Sequence, residues 1–182
     1  MSVSLIGGAY GRKIVEIAGD KLLHQAREEA RQVAKEESRI LVGPPAAIAY
    51  TRAATEMINS GEPQKALEII DTALQNDPRA AAAFVEQGRA LRRLGRLDEA
   101  LTSLGQALEI DPDKVEALYN RACYNALLGR KATISSDLKR AFALRPQLRE
   151  AAARDHDLDS VRNDLGIKEI LENPPTDKSH QI

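Results

Sequence analysis

The sequence has few aromatic residues and no tryptophan. Two Phe and four Tyr make up 3% of its 182 residues, although hydrophobic residues as a whole reach 43%. Sheets favour aromatic and β-branched side chains, so a core built mainly from Ala, Leu and Ile favours closely packed helices instead. We therefore predict an all-α protein, with one domain and room for an appended segment.

Cysteines and an excess of one charge are lacking as well. A single cysteine, Cys123, excludes an internal disulfide framework and a multi-cysteine zinc site. Lys and Arg number 26 against 27 acidic residues, and this gives a formal net charge of −1. Such a balance argues against a nucleic-acid partner held by overall charge.

Long apolar runs are missing too. No stretch approaches the length of a membrane span. The first residues carry an apolar stretch before the first basic residue, which is the reverse order of a secretory signal. We therefore expect a cytoplasmic protein.

Catalytic and cofactor patterns are also absent. His24, His156 and His180 have no spacing that would bind a metal. The glycines of "IGGAYGRK" match neither the dinucleotide nor the phosphate-loop pattern. The acidic residues around Asp155 and Asp157 lack the Gly and the final Glu of a calcium loop. We expect no enzyme, no cofactor and no metal.

What the sequence does contain is a period of 34 residues. Pro78, Pro112 and Pro146 are each 34 residues apart. The fifteenth residue of each unit is a glycine, namely Gly61, Gly95 and Gly129. Glycine adopts left-handed backbone angles at little cost, so it is the common residue just after a helix. Each unit is therefore predicted to hold two helices with a glycine turn between them.

Small residues recur at two further positions of the units. The twentieth and twenty-seventh positions hold Ala66, Ala73, Ala100, Ala107 and Ala141. Small side chains let two helices approach within about 8 to 10 Å. The second helix of each unit is thus predicted to pack on the first through its alanines.

This pattern resembles the tetratricopeptide repeat, a helix-turn-helix unit of 34 residues. The resemblance covers residues 47–80, 81–114 and 115–148 and implies a right-handed α-solenoid. We expect Asp77-Pro78 and Asp111-Pro112 to be the N-cap and the first residue of a helix. The third unit has Ile134 at the small twentieth position, so we expect its helix pair to splay.

Both ends of the chain are predicted to add helical segments, with domains at residues 1–44, 45–171 and 172–182. Residues 149–171 resemble the cap at the end of some tetratricopeptide proteins, where an acidic D-x-D-L turn precedes a short helix. Stacked repeats need such a cap to cover their last apolar face. Residues 1–44 are predicted to form one amphipathic helix and a linker. Residues 172–182 are predicted to be a disordered tail.

The role of the N-terminal helix remains open at this stage. It could cap the first repeat, pair with a second copy or a partner, or lie on a membrane. Glu28 and Glu29 beside Arg27 and Arg31 give its polar face mixed charge. Membrane-surface helices are usually rich in Lys and Arg, so the mixed charge argues against a membrane role.

The resemblance also implies a concave groove, lined by the first helices, that binds a peptide or helix of a partner. The family's second, fifth, ninth, twelfth and thirteenth positions give the candidate partner-binding residues Thr51, Thr55, Asn59, Val85, Arg89, Arg92, Arg93, Tyr119 and Cys123. Three arginines on one face predict a positive groove centre and an acidic partner segment. The alternative is a solvated basic face.

One subset of the family binds the C-terminal carboxylate of chaperones through Lys, Asn and Arg side chains. The corresponding positions here are Thr51, Thr55, Glu86, Glu116 and Asn120, and two acids would repel a carboxylate. We therefore expect a protein–protein interaction adaptor that binds no chaperone tail. The rival hypotheses are a homo-oligomeric scaffold assembled through the N-terminal helix and a regulatory or membrane-recruitment subunit.

Overall fold

A computed structural model of the chain describes His24, Gln25, Glu28 and residues 42–172. The chain divides into two compact units, residues 1–43 and 44–182. In the first unit the three described residues are helical. The rest of the predicted N-terminal helix, and the predicted tail beyond Glu172, lie outside the described residues.

Residues 42–172 form eight α-helices, one short 3₁₀ turn and no strand. The helices are α1 (Pro44–Asn59), α2 (Pro63–Asn76), α3 (Ala81–Arg93), α4 (Leu97–Ile110), α5 (Val115–Leu127), α6 (Ile134–Leu144), α7 (Leu148–Ala153) and α8 (Leu165–Glu172). The 3₁₀ turn, His156–Leu158, lies between α7 and α8. The pairs α1–α2, α3–α4 and α5–α6 follow the predicted repeats, so the all-α repeat architecture is confirmed.

Glycine follows the first helix of each pair, as predicted. Gly61, Gly95 and Gly129 have φ angles of 80°, 76° and 68°. The N–H after each glycine donates to a carbonyl five residues back: Glu62 to Met57 at 2.9 Å, Arg96 to Leu91 at 2.9 Å and Arg130 to Asn125 at 2.8 Å. These bonds are typical of a Schellman motif, which satisfies carbonyls at the helix end.

The alanines of the second helices lie in the core. Ala66, Ala73, Ala100 and Ala107 are all buried. At Gly88 of α3, an added Cβ would lie 3.0 Å from Leu104 Cγ and 3.3 Å from the carbonyl oxygen of Ala100. A small residue is therefore required at this position of α3.

The Asp-Pro pairs end helices and do not begin them. The prediction that Asp77 and Asp111 are N-caps is wrong, because α3 begins at Ala81 and α5 at Val115. Instead, Asp77 follows α2, and its Oδ1 accepts a hydrogen bond from the N–H of Arg79 at 2.9 Å. Aspartate stabilises such turns because its short side chain reaches the backbone two residues on.

The third repeat has a shorter second helix. Ala66 and Ala100 are the fourth residues of α2 and α4, whereas Ile134 is the first residue of α6. Helix α6 has 11 residues, compared with 14 in each of the other two. The large side chain thus enters the core at a helix that lacks its first turn. The predicted splaying of this pair stays a prediction.

The C-terminal segment packs on the last repeat, as expected of a cap. The 3₁₀ turn contacts α5, and α8 contacts α6 and α7. Leu158, Val161 and Ile167 are buried in the same core as α5 and α6. Leu165, the first residue of α8, is by contrast 87% exposed.

Candidate functional site

The predicted partner-binding residues lie on α1, α3 and α5, which are neighbours in the solenoid. Two pockets contain most of these residues. The hydrogen bond from Arg89 Nη2 to Asn59 Oδ1, at 3.5 Å, links α1 to α3. The face of the three first helices is therefore one continuous candidate surface.

The first pocket has a volume of 340 Å³ and lies between α3, α5 and the 3₁₀ turn. We call it the basic pocket. Its lining residues are Arg89, Arg92, Arg93, Tyr119, Asn120, Cys123, Tyr124, Asp155 and Asp157. Five of them were predicted from the sequence, but the two aspartates were not.

The two aspartates belong to the cap and already bind groove residues. Asp157 Oδ1 accepts a hydrogen bond from Arg92 Nη2 at 2.7 Å, and Asp155 Oδ2 accepts one from the Tyr119 hydroxyl at 2.7 Å. The hydrogen bond to Asp157 raises the pKa of Arg92. We call residues 155–158 the acidic turn; it supplies carboxylates to one end of the groove.

The acidic turn is firmly held in place. Leu158 at its end is 0% exposed, and Asp155 Oδ1 accepts a hydrogen bond from the N–H of Asp157 at 3.0 Å. The guanidinium of Arg162 donates to the backbone carbonyls of Ala152, Ala153 and Asp155. The turn is therefore a fixed part of the site.

Two arginines of the basic pocket lie outside the reach of these aspartate contacts. Arg89 Nη1 donates to Glu86 Oε2 at 2.7 Å, within its own helix. Arg93 is exposed and makes no ion pair within residues 42–172. Because Arg89 and Arg93 are four residues apart on α3, they share one face. Positive charge is thus in excess at this pair.

A third donor in the basic pocket is incompletely bonded. The Nε atom of Arg92 is buried and has no hydrogen-bond partner among the described residues. A buried donor without a partner is costly. A bound carboxylate or a water molecule would remove that cost.

Two predicted residues are too buried to touch a partner. Val85 and Cys123 are each 2% exposed, so they support the groove from below. Burial, and then the charge of Asp155, raise the pKa of the Cys123 thiol. The thiol therefore stays protonated at neutral pH, in the unreactive form.

The second pocket has a volume of 440 Å³ and lies between α1 and the start of α3. We call it the apolar pocket. Its lining residues are Pro44, Ala47, Ile48, Thr51, Arg52, Thr55, Glu56, Asp77, Ala80, Ala81 and Ala82. Thr51 and Thr55 were predicted from the sequence to meet a partner.

The hydroxyl groups of these two threonines are not free to bind a partner. Thr51 Oγ1 donates to the carbonyl of Ala47 at 2.7 Å, and Thr55 Oγ1 to that of Thr51 at 3.0 Å. Because the helix backbone takes up both hydroxyls, their methyl groups are the free part of each side chain. Ile48 is 64% exposed beside them.

Sequence reasoning missed Ile48 and Ala82. Both stand at the second position of their repeats, and the family's second position was among those counted. Neither side chain carries a charge or a hydrogen-bonding group, so neither was included among the predicted partner-binding residues. The same count applied without regard to polarity would have found them.

Among the described residues, no three His, Cys, Asp or Glu side chains lie close enough together to hold a metal ion. No helix formed by this part of the chain has the length and hydropathy needed to cross a membrane.

Comparison with known proteins agrees with the repeat pattern. The family described as "TPR repeat" matches residues 88–128. No curated protein matches the chain. The thermophilic TPR protein TTC0263 of Thermus thermophilus is 23% identical with a TM-score of 0.57; the likeness covers 85% of this chain and 82% of that one.

Two further solved structures share the fold at 19% identity. The type III secretion translocator chaperone SycD of Yersinia enterocolitica has a TM-score of 0.55 over 68% of this chain and 90% of its own. The TPR2AB domain of yeast Sti1 has a TM-score of 0.53 over 79% and 56%. Residues 88–128 thus match the tetratricopeptide repeat, and the likenesses to solved structures show that the three helix pairs share its fold.

Proposed function

We propose that the protein is a cytoplasmic adaptor that binds an acidic segment of a partner protein in its concave groove and catalyses no reaction. Related folds have been solved with segments of partner proteins. SycD was solved in complex with a peptide of the translocator YopD, and PcrH with the chaperone-binding region of PopB. These complexes support a peptide-binding role for the groove.

The observation that carries the proposal is the excess of positive charge at Arg89 and Arg93. Arg92, the third arginine of the basic pocket, is held by Asp157 at 2.7 Å. Arg93 has no such partner among the described residues. A hydrogen bond to a charged group contributes about 1.5 to 3 kcal/mol, so one carboxylate at this pair would anchor a segment.

The chain's own acidic turn supports the choice of a carboxylate. Asp157 on Arg92 and Asp155 on Tyr119 already use groove residues as donors. An acidic partner residue at Arg89 and Arg93 would repeat this arrangement one step along α3. It would also offset the charge of Arg93, since Glu86 pairs with Arg89 and Asp157 with Arg92.

The test is a selection with a phage-displayed library of random peptides against the full chain, followed by fluorescence anisotropy on an enriched peptide. We expect enriched peptides to contain Asp or Glu. Arg89→Glu/Arg93→Glu should weaken binding by at least about tenfold, because charge-assisted hydrogen bonds are lost and repulsion replaces them.

The matched control is Lys139→Glu/Lys168→Glu, which reverses two exposed charges on α6 and α8 that line neither pocket. It changes net charge equally and should leave the affinity unchanged. Enriched peptides without acids, or equal losses in both variants, would contradict the proposal.

A further inference from the structure

We propose that the bound segment also places a large apolar side chain in the apolar pocket, two to four residues away from its acidic residue. This inference rests on the proposed function and specifies the partner's chemistry. The partner segment would then have two anchors, an acidic residue and an apolar residue, at a defined spacing.

The apolar pocket suits a hydrophobic anchor. Ala81 and Ala82 are small, and the hydroxyls of Thr51 and Thr55 bond to the backbone of α1. Ile48 lies 64% exposed at its edge. The pocket volume of 440 Å³ lies within the range of about 300 to 1,000 Å³ that is usual for ligand sites.

Helix α1 gives the distance between the two anchors. Thr51 and Thr55 precede Asn59 by eight and four residues, and Asn59 lies 3.5 Å from Arg89 Nη2. At a rise of 1.5 Å per helical residue, the pocket is about 6 to 12 Å from Arg89 along the groove.

Helix α3 gives the same distance independently. Ala82 and Arg89 are seven residues apart, so they lie on one face at about 10 Å. An extended peptide advances about 3.3 Å per residue. Both helices therefore indicate a spacing of two to four residues in the partner.

The acidic turn disfavours the other direction. Beyond Arg92, the groove is occupied by Asp155 and Asp157, and their turn is anchored by the buried Leu158. A partner's carboxylate placed there would meet like charges. From Arg89 and Arg93, the segment therefore avoids this repulsion when it extends towards α1 and the apolar pocket.

The test fills the pocket. Ala82 is exposed, so Ala82→Phe can be introduced without overpacking the core. We expect peptides enriched on the unaltered full chain to carry a large apolar residue two to four positions from Asp or Glu. Ala82→Phe should weaken the binding of such a peptide by about tenfold, because the peptide's apolar side chain can no longer be buried in the pocket.

A double-mutant cycle gives the sharper readout. Replacing the peptide's apolar residue by Ala should cost the unaltered protein about tenfold, but cost Ala82→Phe far less, because the same contact is already lost. Ala143→Phe is the matched control, since Ala143 is exposed on α6 and lines neither pocket. If Ala82→Phe does not fold, Ile48→Asp is the second variant of the pocket, because Ile48 is exposed at its edge.

The outcomes separate the two proposals. Binding that depends on Arg89 and Arg93 but not on Ala82 would overturn the two-anchor inference and leave the proposed function standing. Binding that depends on Ala82 but not on the arginines would overturn the proposed function. A dimer, seen by light scattering, that Ala82→Phe converts to a monomer would make a second copy the occupant and overturn the inference. Absence of enriched peptides would overturn both proposals.

Discussion

At the scale of single residues, two helical glycines should respond oppositely to the same substitution. In Gly88→Ala the new Cβ would lie 3.0 Å from Leu104 Cγ and 3.3 Å from a backbone oxygen. Leu104 is fully buried and cannot move aside, so we expect a loss of about 1 to 2 kcal/mol in the free energy of unfolding.

Gly105→Ala is the matched control, because nothing lies within 4 Å of its Cβ position in α4. Alanine there should add about 0.5 to 1 kcal/mol by restricting the unfolded chain and favouring the helix. Urea titrations followed by circular dichroism measure both changes. Stabilisation by both variants would show that the α3–α4 contact is looser than described.

A second prediction at this scale concerns the chaperone tail. Glu86 lies beside Arg89, and Glu116 pairs with Arg145 at 2.8 Å, so neither of these positions offers a free donor to a terminal carboxylate. A peptide that ends in the acidic chaperone motif should therefore gain no affinity from its terminal carboxylate, so its free acid and its C-terminal amide should bind equally in isothermal calorimetry. A clear loss of affinity on amidation would contradict this prediction.

At the scale of elements, the cap should stabilise the last repeat through Leu158. This side chain is 0% exposed, whereas Leu165 in the same cap is 87% exposed. Leu158→Ala should cost about 2 to 5 kcal/mol, and Leu165→Ala at most about 0.5 kcal/mol.

The labelling rate of Cys123 reports on the same element. The Cys123 Sγ lies 3.8 Å from Asp155 Oδ2, beneath the acidic turn. Its raised pKa and its burial should make reaction with a thiol reagent slow in the unaltered protein. Leu158→Ala should accelerate it and Leu165→Ala should not. Equal rates in the two variants would mean that the turn does not cover the thiol.

Elements were predictable from the sequence where one residue type has one physical role. Gly61, Gly95 and Gly129 mark helix ends because a left-handed residue is needed there. The Asp-Pro pairs misled because aspartate favours both an N-cap and a turn. Local spacing does not distinguish these uses, and α3 accordingly begins later than predicted.

The candidate site was less predictable because its decisive contacts are distant in sequence. Arg92 and Asp157 are 65 residues apart, and no periodic pattern relates them. The arginines could be placed on one face from their spacing. That the chain's own cap neutralises Arg92 follows only from the packing of the 3₁₀ turn on α5.

At the scale of the whole molecule, the repeats of residues 44–172 form an array in which each helix pair contacts the next one. Helix α1 contacts α2 and α3, whereas α8 contacts α6 and α7. The buried residues accordingly form two clusters, one around Ala54 and Ile58 and one that extends to the cap. In such an array, stability is approximately a sum of repeat and interface contributions.

A local defect should therefore stay local. Leu158→Ala should raise amide hydrogen exchange in α5, α6 and the cap while α1 and α2 keep their protection, because no described cap residue belongs to the Ile58 cluster. Ile58 is also fully buried, so Ile58→Ala is the corresponding control at the other end of the domain. It should raise amide exchange in α1 to α3 alone. Exchange measured by mass spectrometry on peptic fragments resolves the two patterns. If either variant raised exchange uniformly from α1 to α8, the domain would unfold as one unit, and the acidic turn would then act on the groove through global stability and not through its contacts with Arg92 and Tyr119.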